Sequence, residues 1–302
     1  MSVRESIKYK EVKNMKGFMR LIFSVLVVFF SIKGHGCAGE IQVFVSILPQ
    51  KYFVERIGEP FVKVDVLVEP GDSPATYDPT MKQLTALGKA DIYFRIGVPF
   101  ENKLIEKISA VCPDLKIVDT RKGVPLLHFD TISHGGSSDP HIWLDPKRVK
   151  LQAVTMCESL SAVDGKNKEH YGRNLAAFQS DLDRLDAKIS AILGPLRGRP
   201  IYVFHPAFGY FADSYGLRQM AIQTGGKEPS PKQLARLIEN AKNEGVKVLF
   251  VQPQFSSRCA ETIARQIGGN IVPLDSLPQD YEKNLEEMAI VIKKGFETSQ
   301  TR

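Results

Sequence analysis

The strongest constraint on the fold is an alternation of strand and helix patterns that occurs twice, once on each side of a long amphipathic segment. Four apolar strand patterns precede that segment, at 41–47, 62–68, 91–96 and 116–119, and four follow it, at 199–204, 217–223, 247–252 and 270–274. Most of these strands are followed by a helical pattern, which is typical of a parallel sheet covered by helices. We therefore predict an α/β protein of two lobes, each a mostly parallel four-stranded sheet with flanking helices.

The segment between the two halves predicts one long helix. In 166–193, apolar residues recur at spacings of three and four, at Leu175, Phe178, Leu182, Leu185, Ile189 and Ile192. This spacing forms one apolar stripe over roughly seven helical turns. We predict a rigid linker helix over 166–195, between an amino-terminal lobe at 40–165 and a carboxyl-terminal lobe at 196–302.

Residues 1–39 predict a secretory signal peptide. A basic stretch precedes an uninterrupted apolar run at 21–32, and small residues follow it. That run is shorter than the roughly 20 residues that span a bilayer. An uncleaved signal anchor and a start at Met15 remain open. A lipid anchor at Cys37 is not expected, because Gly34 stands where a lipidation motif has leucine. We predict a periplasmic or cell-surface protein.

Removing the leader also removes most of the positive charge. Seven of the 40 basic and two of the 34 acidic residues lie before Gly39, which leaves 33 basic and 32 acidic residues. This balance indicates no nucleic-acid partner, and we expect a monomer. The cysteines after the leader, Cys112, Cys157 and Cys259, have no C-x-x-C spacing and are expected to be apolar packing residues.

Two short strings place a histidine beside a proline at the edge of a regular element. They are DPHIWLDP at 139–146, which contains His141, and FHPAFGYF at 204–211, which contains His205. Open α/β sheets bind ligands beyond the carboxyl ends of their strands. His205 directly follows a predicted strand there, and so does Asp275. Two imidazoles and a carboxylate suit zinc, although either histidine could instead bind a backbone carbonyl and Asp275 could cap a turn.

The chain resembles the zinc/manganese substrate-binding proteins of bacterial ABC importers, the cluster A-I or zinc-uptake family. The resemblance rests on DPHIWLDP, on FHPAFGYFADSYGL, on GGKEPSPKQLARLIENAKNEGVKVLFVQPQF and on LDSL at 274–277, in that order along the chain. It implies two α/β lobes joined by a backbone helix, metal ligands at His141, His205 and Asp275, and a membrane permease as partner. It implies capture and delivery of a metal ion, not an enzyme.

One position departs from the family pattern. In 73–79, SPATYDP, the family's usual first histidine ligand is replaced by Ala75, which has no donor atom. Three ligands remain, and zinc tolerates three protein ligands plus water. The sequence also offers other residues for this position, namely His134, His128, Glu69, Asp72 and Asp78.

Ligand type indicates the metal. Manganese-selective relatives usually carry a carboxylate where this chain has His205, and imidazole favours zinc over manganese. Three other functions remain open: a receptor for a metal chelate or another small solute, a zinc-dependent hydrolase, and a surface adhesin. The chain has no H-E-x-x-H string and no nucleophile elbow, which weighs against the hydrolase.

Overall fold

The computed structural model describes residues 40–129, 138–223, 228–255 and 258–300. From Glu40 onward the chain forms one compact unit. The predicted signal peptide, with Cys37 and Met15, lies outside the described residues, and so does His134. Within the described ranges, no helix is long and apolar enough to cross a bilayer.

The amino-terminal lobe is built on a parallel sheet with the strand order β2-β1-β3-β4. Its strands are β1 Ile41–Val45, β2 Val62–Val66, β3 Ile92–Arg95 and β4 Lys116–Asp119, and its helices are α1 Leu48–Gly58, α2 Met81–Leu87 and α3 Phe100–Val111. The runs of β-branched and aromatic residues in β1 and β3 are buried on both faces, as expected for a covered parallel sheet. The first lobe thus has the predicted architecture.

Two helices connect the lobes. They are α4 Pro146–Val163 and α5 Lys168–Leu193. The Asp145 side chain accepts a hydrogen bond of 3.0 Å from the Lys147 amide and thereby caps α4, while Pro146 occupies the first turn. The predicted long helix begins at Lys168, after a 3-10 turn at Gly165–Asn167, and a second such turn at Gly194–Leu196 follows it.

The carboxyl-terminal lobe repeats the first topology, with the strand order β6-β5-β7-β8. Its strands are β5 Pro200–Val203, β6 Arg218–Ala221, β7 Val248–Val251 and β8 Asn270–Pro273, and its helices are α6 Gly209–Tyr215, α7 Pro231–Asn243, α8 Arg258–Ile267 and α9 Tyr281–Gln300. Ser230 caps α7 in a reciprocal capping box with Gln233. The predicted fold class is confirmed, whereas the exact lobe boundaries stay a prediction.

The buried apolar residues of the described ranges form two clusters. The large one joins the whole amino-terminal sheet to α4, α5, α6 and α9, and it includes one face of the carboxyl-terminal sheet. The small one lies on the other face of that sheet, against α7 and α8. Cys157 is buried, Cys112 and Cys259 are half-buried, and all three are free thiols, in line with the expected packing role.

Candidate metal centre

A cavity of about 520 Å³ lies between the two lobes, and both predicted histidines line it. Most of its lining segments follow the strands β2, β3, β5, β7 and β8, as the strand-end rule predicts. We call it the histidine cavity; its lining residues are Ser73, Pro74, Ala75, Gly97, Val98, Pro99, Asn102, Phe129, Ser138, Pro140, His141, Trp143, His205, Pro206, Gln254, Phe255, Ser276 and Leu277.

His141 is held by a buried carboxylate. Its Nδ1 lies 2.6 Å from Asp139 Oδ1, and its backbone amide donates to the same oxygen at 2.9 Å. Asp139 is only 3% exposed, and its carbonyl oxygen accepts a hydrogen bond of 2.8 Å from the Tyr210 hydroxyl. A carboxylate on one ring nitrogen orients the ring and makes the other nitrogen, Nε2, the atom that would bind a metal.

Two glutamine side chains and one aromatic ring contact His205. Its Nδ1 lies 3.0 Å from Gln223 Oε1. Gln252 fixes the backbone on both sides, because its Oε1 accepts from the His205 amide at 3.3 Å and its Nε2 donates to the His205 carbonyl at 3.0 Å. The imidazole stacks on Phe255 with 4.8 Å between ring centroids. An amide and an aromatic surface therefore help to orient this ring.

The two imidazole rings face each other at a spacing that suits one ion. Their centroids are 5.3 Å apart, with an angle of 76° between the ring planes. A tetrahedral zinc ion bound to two imidazole nitrogens at about 2.0–2.1 Å would hold the ring centroids roughly 5 Å apart. The Trp143 indole, beside His141, donates a hydrogen bond of 2.6 Å to the Ser276 carbonyl and so joins the lobes next to this pair.

The structure does not bring Asp275 into the histidine cavity. Its Oδ1 accepts hydrogen bonds from the Leu277 amide at 2.9 Å and from Gln254 Nε2 at 3.3 Å. Asp275 instead lines a neighbouring cavity of about 120 Å³ with Glu69 and Asp72, which we call the acidic cavity. Gln254 and Leu277 border both cavities. In the part of the chain that the structure describes, no group of three or more His, Cys, Asp or Glu side chains is spaced to hold a metal.

Ala75, which replaces the family's usual histidine, lines the same cavity as His141 and His205. The alternatives for that position lie elsewhere: Glu69 and Asp72 line the acidic cavity, and Asp78 lines an outer cavity of the first lobe. The His128 backbone pairs with that of Ser138, and His134 lies outside the described residues. Among the described residues, none of these carboxylates lines the histidine cavity beside Ala75.

Glu101 supports the cavity wall and was not predicted from the sequence. This fully buried carboxylate accepts hydrogen bonds from Ser46 Oγ at 2.5 Å, the Ile96 amide at 2.8 Å and the Gly97 amide at 2.6 Å. Burial raises the pKa of Glu101, although these hydrogen bonds and the Arg95 charge oppose the rise. The one available sequence signal was an acidic residue in the first turn of α3.

Comparison with known proteins gives one consistent result. The sequence profile of the family "Zinc-uptake complex component A periplasmic" matches residues 43–295. A crystal structure of ZnuA is 40% identical and superposes with a TM-score of 0.81 over 84% of this chain and 98% of that one. The crystal structure of a zinc-bound ZnuA deletion mutant is also 40% identical in sequence. It superposes with a TM-score of 0.81 over 85% of this chain and 98% of that one. The high-affinity zinc uptake system protein ZnuA of Bacillus subtilis (strain 168) is 27% identical over 256 residues, 79% of each chain.

Proposed function

Because this chain belongs to the family of periplasmic zinc-uptake complex A components, we propose that it captures Zn²⁺ between His141 and His205 and delivers it to an ABC importer permease. Membership confirms the predicted family and the predicted role as an extracytoplasmic solute-binding protein of a metal-uptake system. It also confirms that the chain is not an enzyme. We therefore assign zinc as the cargo of the site between the two histidines.

The observation that carries the proposal is the spacing of the two histidine rings. His141 follows the first sheet and His205 follows a strand of the second, yet their centroids are 5.3 Å apart. An ion bound to both would link the lobes and favour the closed arrangement by its differential affinity. The long helix α5 packs along α4, α1 and α9, so closure would consist of small shifts and not a wide hinge motion.

Asp275 remains our third candidate ligand. It lines the acidic cavity, which is next to the histidine cavity: Gln254 and Leu277 line both cavities. A metal bond through Asp275 Oδ1 would compete with the 2.9 Å hydrogen bond that this oxygen accepts from the Leu277 amide. A direct test is Asp275→Asn, which keeps the turn's acceptor oxygen and removes the charge. Its zinc affinity should fall if the carboxylate moves onto the ion.

The remaining details extend the same proposal. Residues 1–39 direct export and are cleaved, without a lipid at Cys37, and the exported protein acts as a monomer. With 33 basic and 32 acidic residues after the leader, its charge offers no general attraction for nucleic acid. Imidazole ligands favour zinc over manganese.

The decisive experiment is a titration of the metal-free protein with Zn²⁺ by isothermal calorimetry, comparing the wild type, His205→Ala and His170→Ala. His170 is the matched control, because its Nε2 hydrogen-bonds the Glu59 carbonyl at 2.8 Å on the surface of α5. We expect one zinc per chain in the wild type and in His170→Ala. His205→Ala should bind more than about 100-fold more weakly, since loss of even an indirect support costs 10- to 100-fold.

The outcome can contradict the proposal in two ways. An unchanged zinc affinity in His205→Ala would remove this histidine from the site. Tighter binding of Mn²⁺ than of Zn²⁺ by the wild type would reverse the choice of cargo.

A further inference from the structure

We propose that Gly209 and Tyr210, the first two residues of α6, are positioning residues for the metal. From the second lobe they hold Asp139, and through Asp139 they set the position of His141. The inference rests on the proposed function and adds to it two residues that do not line the histidine cavity. It gives a role to the part of the string FHPAFGYF that follows His205.

The Tyr210 hydroxyl holds the backbone of Asp139. It donates a hydrogen bond of 2.8 Å to the Asp139 carbonyl and accepts one of 2.9 Å from the Leu127 amide. The Asp139 amide donates to the Leu127 carbonyl at 2.9 Å, so the three groups form one hydrogen-bonded unit. Tyr210 is fully buried, and burial raises its pKa to about 12, which keeps the donated proton on the hydroxyl.

Gly209 lies against the carboxylate of Asp139. A Cβ atom at position 209 would be 2.7 Å from Asp139 Oδ2, well inside van der Waals contact. The close approach, and not the backbone conformation, therefore requires glycine here. The other oxygen of the same carboxylate, Oδ1, holds the ring and the amide of His141. A side chain at position 209 would push the carboxylate away and would take the His141 ring with it.

The connection between β5 and α6 has a fixed geometry, and it also carries His205. The His205 carbonyl accepts a hydrogen bond of 2.8 Å from the Ala207 amide, and the Phe208 amide donates to Gln219 Oε1 at 2.6 Å. Ala207 and Phe208 are fully buried. One connection thus supplies a histidine and holds the carboxylate that orients the other. This arrangement accounts for how two residues far apart in the sequence bring their rings to 5.3 Å.

Gly209→Ala tests the contact with the carboxylate, and Gly172→Ala in α5 is the matched control, because a Cβ there meets nothing within 4 Å. Calorimetric titration with Zn²⁺ should show binding at least 10-fold weaker in Gly209→Ala, the lower end of the effect of losing a ligand's support. In the metal-free protein, the His141 Nδ1 proton resonance in ¹H–¹⁵N NMR spectra should shift. Gly172→Ala should change neither readout.

A double-mutant cycle distinguishes positioning from a general effect on the fold. In an Asp139→Ala background the added Cβ of Gly209→Ala meets no carboxylate, so it should cost no further zinc affinity. A loss as large as that in the wild-type background would show that position 209 acts independently of Asp139, and it would overturn the proposal.

Tyr210→Phe tests the hydroxyl, with Tyr171→Phe as the control. Tyr171 is also fully buried, and its hydroxyl donates to Asp164 at 2.8 Å. Tyr210→Phe should weaken zinc binding by about 3- to 10-fold, less than Gly209→Ala, because the carboxylate keeps its contact with His141. Tyr171→Phe should have no effect.

Two results separate this inference from the proposed function. Unchanged zinc affinity and an unchanged His141 resonance in both Gly209→Ala and Tyr210→Phe would overturn the positioning role and leave zinc capture standing. A wild-type protein that binds no zinc would overturn the proposed function and, with it, the role toward a metal, whereas a shifted resonance would still show that α6 holds the His141 ring.

Discussion

The two lobes share one strand order but are stabilised in different ways. In the first lobe, both faces of the sheet belong to the large core, which continues through α5 to α9. In the second lobe, Ile201 and Val203 of β5 join that core, whereas Tyr202 of β5 and the next residue after the strand, Phe204, belong to the small cluster under α7 and α8. The comparison teaches that the first lobe and the linking helices form one body, and that the outer layer of the second lobe is stabilised separately.

The two walls of the histidine cavity also differ in the groups that hold them in place. On the first lobe, the buried charges of Asp139 and Glu101 fix His141 and the loop at Gly97. On the second lobe, the neutral amides of Gln223 and Gln252 fix His205. Charged hydrogen bonds are about twice as strong as neutral ones, so we expect the second wall to adjust more readily when an ion binds.

The largest effects should come from matched truncations in the two cores. Ile189 in α5 is fully buried in the large core and Ile263 in α8 is 2% exposed in the small one. Ile189→Ala should lower the free energy of global unfolding by about 2–5 kcal/mol. Ile263→Ala should mainly speed amide hydrogen exchange in α7 and α8, because small cooperative units open on their own. Equal acceleration in β1 for both variants would contradict the distinction between the cores.

The second-largest effect should come from removing the carboxylate of Glu101, which supports the first-lobe wall of the histidine cavity. Glu101→Gln leaves at least one of the Ile96 and Gly97 amides facing a donor, which should cost about 2–3 kcal/mol of unfolding free energy. Glu106→Gln, exposed on the same helix, is the control. Because burial raises the pKa of Glu101 above its unfolded value, its contribution to stability is greatest at low pH and is lost as pH rises through the folded pKa. Urea unfolding of the wild type and both variants at several pH values measures both effects, and a loss in Glu106→Gln as large as in Glu101→Gln would contradict this assignment.

The two supports of the histidines should differ in their effect on affinity. Asp139→Asn should weaken zinc binding by 10- to 100-fold, about 1.4–2.7 kcal/mol, because it removes the charge that orients His141. Gln223→Ala should weaken binding by less than about 10-fold, since that support is neutral. Calorimetric titration of both variants checks the order. A larger loss in Gln223→Ala would mean that the second wall is the better-ordered one.

The smallest effect concerns Asp119 at the end of β4. Burial raises its pKa, but hydrogen bonds and charge from Arg121 outweigh burial and lower it overall. A lowered carboxyl pKa adds stability above the unfolded value of about 3.9 and loses it as pH falls further. Because this side chain is 36% exposed, Asp119→Asn should flatten the acid limb of the stability profile by less than about 1 kcal/mol. Unfolding midpoints between pH 3 and 6 measure this change, and a steeper limb in the variant would reverse the sign.

Helix caps and apolar runs predicted most of the helices and strands, because each depends on interactions between residues that are close together in the sequence. Asp145 and Ser230, residue types that favour the N-cap position, cap their helices, and all eight strands form where apolar runs were found. Strands end one or two residues early where the chain turns into the cavity loops: β1 stops at Val45 although Ile47 is fully buried. An apolar residue predicts burial, but the end of a strand depends on its partner's backbone.

The sequence by itself determined two parallel sheets, a linking helix and two histidines at the edges of regular elements, since hydrophobic period, caps and strand–helix order are local properties of the chain. Only the tertiary structure decided that the rings of His141 and His205 lie 5.3 Å apart, and that Asp275 lines the acidic cavity. Those distances depend on how two separate sheets pack through α5, and on the Leu277 amide that holds the Asp275 carboxylate at 2.9 Å. No residue pattern along the chain encodes a separation between groups that long-range packing brings together.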